Sequence, residues 1–575
     1  MDRTPRAAGF AAGLGEDSAP AGTGHTVFLA LLPCFALTLM LGFLSDGAYH
    51  DDDLAHFMIA RWARWFPEYL LHIWGRPGAT IPLAAVAWIG DAETGWHVAR
   101  ALSACVTAAA SLVAAGVARR LGLRHAWLVV LLCYLQPLNA MLAGTSLTEN
   151  FAALYLVAAV ALLLGGRAVA ASVVFSAVLV SRHETLVFLP VWWLALAATH
   201  GRARPRLVAG AVSLWAPVLH NLLFRLLFQR WPVEAFFQLR GSTEYLPTEP
   251  LAYVPYALEA VPAVIAGLAI VGGAGLVRRR RFLIPALAGV FFLTHAAIRA
   301  LGVFASGGYG RFMVAVAPLV AILAAVGLED FAARVRQGRS ERGHWLVLGA
   351  VWLIGLPAFE VERHAGRIAI GDGWSVWAMR GATAVVLAVL AAAWAAPRKR
   401  AGMMLKTAAA VLALTCAVQW ACIVRPLRLR PDVLALRRVV TWLDESGMSD
   451  GPIFAPNPWF AYFLGLVEYP RAHKDARLLA SMPVGTIVIW DSTYSGSDFH
   501  SLALARLLNS GEYRLLRKFA GEGPGAIELH VFRKVVETPV PTDSAPSYPI
   551  DLISVERPHV GVYYLRPGGT NAGHE

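Results

Sequence analysis

Ser45-Asp-Gly-Ala-Tyr-His-Asp-Asp-Asp-Leu-Ala-His56 follows the first long apolar stretch of the chain and sets Asp51, Asp52 and Asp53 side by side. In a sequence that is 57% hydrophobic and only 15% charged, three consecutive carboxylates stand out. Adjacent carboxylates repel, so the proton affinity of one rises unless cations or hydrogen bonds hold the charge. Two readings follow: a solvated loop, or a base or ion site at the mouth of a membrane bundle.

The surrounding sequence favours a membrane setting. A chain of 575 residues with a mean hydropathy of +0.54 is not an ordinary soluble protein. Many windows reach the ~20 apolar residues that cross a bilayer. About thirteen candidate spans can be drawn, near 26–44, 97–118, 126–143, 148–166, 168–181, 184–199, 207–228, 253–276, 282–301, 311–327, 345–359, 375–396 and 404–424. The net charge of +12 comes from short basic clusters between these spans, which is not the footprint of a nucleic-acid surface. With the N-terminus inside, those clusters all fall on one side: Arg119, Arg120 and Arg124; Arg202, Arg204 and Arg206; Arg278 to Arg281; Arg398, Lys399 and Arg400. That is the positive-inside pattern. The five cysteines, Cys34, Cys105, Cys133, Cys416 and Cys422, fall in apolar spans without a C-x-x-C pair, so neither a zinc site nor a disulfide framework is indicated. Residues 1–24 are expected to be a disordered cytoplasmic segment, and the first span is read as an anchor rather than a cleaved signal.

The outer side then receives the loop 45–96 and the tail 425–575. In the loop, Leu54, Phe57, Met58, Trp62, Trp65 and Phe66 recur at helical spacing. This predicts an amphipathic helix on the outer membrane surface, or one whose apolar face packs on the bundle. In the tail, 432–445 reads as a helix, 452–456 as a short strand ending in a turn, 485–491 as a buried strand, 500–510 as a helix and 526–533 as a strand. The expected fold is therefore a mainly α multi-pass membrane protein, with residues 25–424 as the bundle and a C-terminal soluble α/β domain.

Several segments together are similar to the GT-C membrane glycosyltransferases, with protein O-mannosyltransferases and bacterial lipid A aminoarabinose transferases as the nearest groups. Asp52-Asp53-Leu-Ala-His-Phe-Met-Ile-Ala60-Arg61 resembles the acidic pair and following Ala-Arg of that superfamily, with Asp53 in place of Glu. Gly75-Arg76-Pro77-Gly78 is similar to a basic-Pro segment, Trp96-His97-Val98-Ala99-Arg100-Ala101-Leu102 to an aromatic–Ala-Arg-Leu segment, Ser181-Arg182-His183-Glu184 to Arg-Pro-Glu, and Tyr309-Gly310-Arg311-Phe312 to Arg-Tyr before a span. The resemblance runs over roughly residues 26 to 533. Gly75 departs from it where an acidic residue is common, and Gly78 where a second proline is.

The resemblance implies a GT-C-like bundle in a bacterial inner membrane, with the C-terminal domain extracytoplasmic. It implies transfer of a sugar from a polyprenyl-phosphate donor to a hydroxyl of a lipid, glycan or protein acceptor. A carboxylate would take the acceptor proton. Asp52 is the first candidate and Asp53 the second; Asp51 follows. Glu149, in Thr148-Glu149-Asn150, is either a further carboxylate of the site or a helix-start acid stabilised by the dipole. Arginine suits the leaving phosphate. Arg76 is the leading candidate, then Arg311 and Arg182, each of which is alternatively a snorkelling residue or a partner of Glu149 or Glu184. No cofactor is required by this chemistry. A divalent metal stays open, because His50, Asp51, Asp53 and His56 offer oxygen and nitrogen ligands, though in no compact metal motif. Competing readings are a lipid or glycan transporter or flippase, against which stands the lack of an evident repeat, and a non-catalytic assembly protein with the same fold.

Overall fold

A computed structural model describes residues 23–337 apart from 200–202, 230, 238–246, 250 and 303–308, and residues 416–538 apart from 469–475, 497–501 and 523–525, with a few positions between 381 and 414 and two short strands after 549. The candidate span at 345–359, nearly all of 375–396 and part of 404–424 lie outside the described residues.

The first helix, α1 (Thr23–Phe43), is apolar almost throughout. A short helix, α2 (Asp51–Trp62), follows; it starts where the His50 Nδ1 accepts the Asp52 amide N–H at 3.3 Å. Its first turn carries the three aspartates, and negative charge there is favoured by the helix dipole. Next come α3 (Pro77–Ala84) and the long α4 (Ala92–Arg120). The Asp91 side chain caps α4 by accepting the Thr94 N–H at 2.8 Å, and Arg119 and Arg120 occupy its last turn, matching both ends of its dipole. Arg61 ties α2 to the start of α4 by donating to the Ala87, Gly90 and Asp91 carbonyls at 2.8–3.0 Å.

Among the described residues, five helices are long and apolar enough to cross a membrane: Gly24–Phe43, Ala92–Arg120, Arg204–Phe228, Leu283–Leu301 and Gly310–Arg334. A sixth arises if Tyr253–Ala260 and Ala263–Arg278, bent by 96°, count as one span. Glu149–Leu164, Ala168–Ser181 and His183–Ala198 are apolar but shorter. The expected count of about thirteen is not reached among the described residues. The 126–143 run shows why: it splits into Trp127–Tyr134 and Pro137–Leu142, because Pro137 lacks an N–H and biases Gln136 to extended backbone. Hydropathy registers an apolar run and not its continuity.

Small residues let the helices approach closely. The helices Ala263–Arg278 and Ala317–Arg336 cross so near that a Cβ on Gly272 would sit 1.9 Å from the Leu323 carbonyl oxygen, and one on Gly327 2.1 Å from that of Leu268. Glycine is required at both places, as in other bundles packed by small residues.

The C-terminal region forms a four-stranded sheet from β1 (Ile453–Phe454), β3 (Ile487–Asp491), β4 (Tyr513–Ala520) and β5 (Glu528–Lys534), in the order β1-β3-β5-β4. β1 and β3 are parallel; β5 runs antiparallel to β3 and β4. A second small sheet joins β2 (Val467–Glu468), β7 (Val562–Leu565) and β6 (Ile550–Asp551). Every residue of β3 is buried, as expected of a central strand covered on both faces. The Pro431–Glu445 and Pro458–Leu464 helices pack beside the four-stranded sheet.

This region does more than follow the bundle. One continuous core joins Leu54, Phe57 and Met58 of α2 to Val433, Leu436, Trp459 and Phe460. Leu54 and Phe57 are fully buried, and the Trp62 indole N–H donates to the Leu466 carbonyl at 3.0 Å. Of the two sequence readings of this helix, packing is the one found: its apolar face lies in protein. The cover comes from residues some 400 positions downstream, which local periodicity does not register.

Candidate active site

The three aspartates start one helix, so their side chains fan out at about 100° per residue. Each meets a different neighbour. Asp51 turns to the C-terminal domain, where it accepts from Arg430 Nη2 at 2.8 Å, Trp459 Nε1 at 3.0 Å and the Tyr494 hydroxyl at 2.8 Å. Asp52 turns to the bundle and accepts from Arg311 Nη2. Asp53 is fully buried and accepts from the Ser146 N–H at 2.6 Å and the Tyr49 N–H at 3.4 Å. The run is therefore not a solvated loop.

The surroundings push Asp52 and Asp53 in opposite directions. Burial alone raises a carboxyl pKa. At Asp52 it is outweighed by the Arg311 guanidinium, with help from His50, and the carboxyl sits well below the usual carboxylate range. At Asp53 burial prevails over Arg100 and the Ser146 N–H, and the carboxyl is pushed up.

Arg311 opens the turn before the Ala317–Arg336 helix and bridges two acids: it bonds Asp52, and its Nε lies 3.6 Å from Glu149 Oε1. Glu149 starts the Glu149–Leu164 helix, where the dipole favours a carboxylate. It also pairs with Arg182, which caps the end of the Ala168–Ser181 helix and bonds Glu184 through Nε at 2.6 Å. The Phe312 ring lies under both guanidinium groups, 4.1 Å from Arg182 Cζ and 5.4 Å from Arg311 Cζ, so cation–π attraction helps fix them.

Arg76, the residue just before α3, completes the group. Its Nη1 donates to Thr148 Oγ1 at 2.8 Å, one residue from Glu149. Its neighbours include Arg182, and burial together with that like charge pushes its pKa down to about 10. Arg76, Arg182 and Arg311 thus gather against Asp52, Glu149 and Glu184. Arg182 and Arg311 each hold carboxylates, whereas Arg76 has none within ion-pair distance among the described residues. Arg76 Nε, Arg311 Nη1 and His56 Nδ1 are buried without a hydrogen-bond partner among the described residues. The His56 ring stays neutral, because burial and the nearby Arg76 hold its pKa well down.

The backbone at Arg76 is strained. Its φ of 64° with ψ of 102° lies in a region that L-residues avoid, at a cost of about 1–3 kcal/mol. Such outliers cluster at functional sites. Gly75 beside it has no room for the acid common in similar proteins: a Cβ there would lie 2.6 Å from Ile59 Cγ2 and 2.7 Å from Thr80 Oγ1.

Five of the seven candidates come together. Asp52, Glu149, Arg76, Arg182 and Arg311 form the charged cluster, Asp53 stands behind it, and Asp51 faces away toward the sheet domain. The proposed metal ligands diverge, and no group of three or more His, Cys, Asp or Glu side chains is arranged to hold a metal among the described residues. Sequence reasoning did not single out Ser146, Thr148, Trp459, Tyr494 or Arg430. Arg100 offered a signal, a charge inside an apolar span. It is 2% exposed, donates to the Ser45 and Gly47 carbonyls and lies 3.9 Å over the Trp96 ring, so it anchors the loop leading into α2.

No family model matches the sequence, and no curated protein matches it. Solved structures do. The chain is similar in fold to ArnT from Cupriavidus metallidurans bound to undecaprenyl phosphate, with a TM-score of 0.54 and 15% identity, covering 92% of this chain and all of that one. The apo state of the same protein aligns equally well, with a TM-score of 0.54 and 14% identity over 92% of this chain. The likeness therefore spans the bundle and the sheet domain and is one of fold.

Proposed function

We propose that this chain is an integral membrane glycosyltransferase that moves a sugar from a polyprenyl-phosphate donor to an acceptor hydroxyl on the outer face of a bacterial inner membrane. The observation that carries the reading is Arg76: a half-buried arginine, strained in its backbone, without a carboxylate partner among the described residues and with a buried, unengaged Nε. A phosphate supplies the missing partner, since the guanidinium fork binds it bidentately and stays charged next to lipid. Arg311 Nη1, also unengaged, lies in the same cluster. Further support is the fold shared with ArnT, a protein solved with undecaprenyl phosphate.

Asp52 acts as the base. The acceptor oxygen forms its bond to the anomeric carbon while the bond from that carbon to the phosphate oxygen breaks. The acceptor proton passes to Asp52, and polyprenyl phosphate leaves. A base on the face opposite the leaving group gives inversion, as in single-displacement sugar chemistry. Bound to Arg311, Asp52 is a weak base; a donor phosphate that shares Arg311 weakens that hold and raises the proton affinity of Asp52 as the site fills. Asp53 has both oxygens engaged and no exposure, and it fixes the helix that presents Asp52. Arg182 holds Glu149 and Glu184 in place around the phosphate site. The carboxylate, the arginines and the acceptor account for every bond and proton of this step.

The test is lipid binding by the full-length protein in nanodiscs. Undecaprenyl phosphate should bind the wild type, and Arg76→Gln should weaken it by about 10–100-fold, the worth of a charged hydrogen bond. Equal binding by the two proteins would remove Arg76 from the phosphate site. The envelope glycans and lipids of a deletion strain then reveal the acceptor.

A further inference from the structure

Asp51 is spent on a contact that glycosyl transfer itself does not require. It stands next to the proposed base, yet its carboxylate is filled by three donors from three separate parts of the C-terminal domain. Arg430 immediately precedes the Pro431–Glu445 helix, Trp459 lies in the Pro458–Leu464 helix, and Tyr494 sits in the turn after β3. That turn is itself built: Asp491, fully buried at the end of β3, accepts the Thr493 and Tyr494 N–H groups at 3.0 and 2.7 Å. Burial and Asp51 hold the Tyr494 pKa well above its ordinary value, so the hydroxyl stays a donor. The Asn457 side chain caps the Trp459 helix by accepting the Trp459 N–H at 3.1 Å.

A second path runs from the same tryptophan to the other side of the helix. The Trp459 ring meets Trp96 edge-on at 6.0 Å. Trp96 donates through Nε1 to Ser146 Oγ at 3.0 Å, and the Ser146 N–H binds Asp53. The domain therefore holds Asp51 directly and backs the group that holds Asp53. Asp52 lies between them in sequence, on the same turn.

We propose that Asp51 is a positioning residue through which the C-terminal domain sets the rotation of the first turn of α2, and with it the aim of Asp52 at the acceptor. The inference rests on the reading of Asp52 as the base. Three carboxylates on one turn, each bonded to a different partner, lock that turn about its axis; releasing Asp51 leaves the turn held only through Asp52 and Asp53. Misplacement of a reacting group by about 1 Å costs on the order of 100-fold in rate.

The experiment compares full-length wild type with Tyr494→Phe, Asp51→Asn and the double variant in nanodiscs. It reads kcat, KM for a polyprenyl-phosphate sugar, and amide hydrogen exchange across residues 51–56. Tyr494→Phe removes one hydroxyl and no packing volume. Its kcat should fall roughly tenfold, with KM changed by less than about twofold, as expected when an oriented group is loosened. Exchange at 51–56 should quicken, and the double variant should lose less than the product of the single losses. Arg438→Gln, on the exposed face of the same domain beside Glu522, should match the wild type in both readouts. Unchanged kcat and unchanged exchange in both single variants would overturn the inference, as would quickened exchange with full kcat. A wild type that transfers no sugar would sink the base assignment instead, and exchange would still decide whether the domain holds the turn.

Discussion

Arg311 bonds Asp52 through Nη2 while its Nε faces Glu149 Oε1 at 3.6 Å, so one buried guanidinium serves a carboxylate from α2 and another from a bundle helix. The pairing sets the charge state of the proposed base and predicts how it titrates. The acid limb of kcat/KM reports the free enzyme. With Asp52 held well below the usual range, activity should persist as pH falls past the ordinary carboxylate pKa of about 4, and fall only below it. Arg311→Gln removes the cation and should move the limb upward, whatever it does to the maximal rate. A limb that stays in place would show that Arg311 does not govern Asp52.

Stability should carry the opposite signatures of the two neighbours. Asp52 has a depressed folded pKa, so its contribution is present above the unfolded value of about 3.9 and is lost as pH falls through the folded value. Asp53 has a raised folded pKa, so its ionised form costs stability near neutrality, and that cost fades as pH falls through the raised value. Asp53→Asn should therefore flatten the gain seen on mild acidification, and Asp52→Asn the loss seen at lower pH. Thermal midpoints of the purified protein across pH 3–7 (roughly the window these directions define) check both.

Arg76 separates stability from activity. Glycine tolerates its positive φ, and alanine does not. Arg76→Gly should be more stable than Arg76→Ala by about 1 kcal/mol, while both lose donor binding. Equal stability would mean that the backbone is not strained, and full activity in either would remove the guanidinium from the mechanism.

Arg182 and Glu149 are each about 1% exposed, so breaking their pair strands a charge in the interior. Arg182→Ala should cost about 3–5 kcal/mol. Arg182→Met with Glu149→Leu should recover only part of that loss, because the stranded Glu149 charge is gone while Glu184 still loses its arginine. Denaturation of the three proteins in one detergent measures the difference.

The sequence was informative where chemistry is local and silent where it depends on long-range cover. Asp52, Arg76, Glu149, Arg182 and Arg311 lie as much as 259 positions apart, yet short motifs marked them, and the fold brings them to one cluster. Their rarity in an apolar chain is the reason: a charge kept in such a setting marks a partner or a functional site. The orientation of Asp51 was not legible, because Tyr494 and Trp459 look like ordinary aromatics of a soluble domain. The same cover hid the burial of α2. At Pro137 the apolar composition continues and the helix does not, so the 126–143 run is not one continuous helix. In the sheet domain, the buried run of β3 announced itself, whereas β4, with its mixed pattern Tyr-Arg-Leu-Leu-Arg-Lys-Phe-Ala and a register shift between Leu515 and Arg517, did not.

The most direct measurement reconstitutes the full-length protein in liposomes with a labelled polyprenyl-phosphate sugar and an envelope extract as acceptor source. It follows released polyprenyl phosphate and label transferred to acceptor. The account predicts both products in equal amounts from the wild type, and a loss of about 100-fold or more in Asp52→Asn, the usual worth of a positioned general base. Transfer that proceeds undiminished in Asp52→Asn, or donor lipid that crosses the bilayer with its sugar intact, would contradict it.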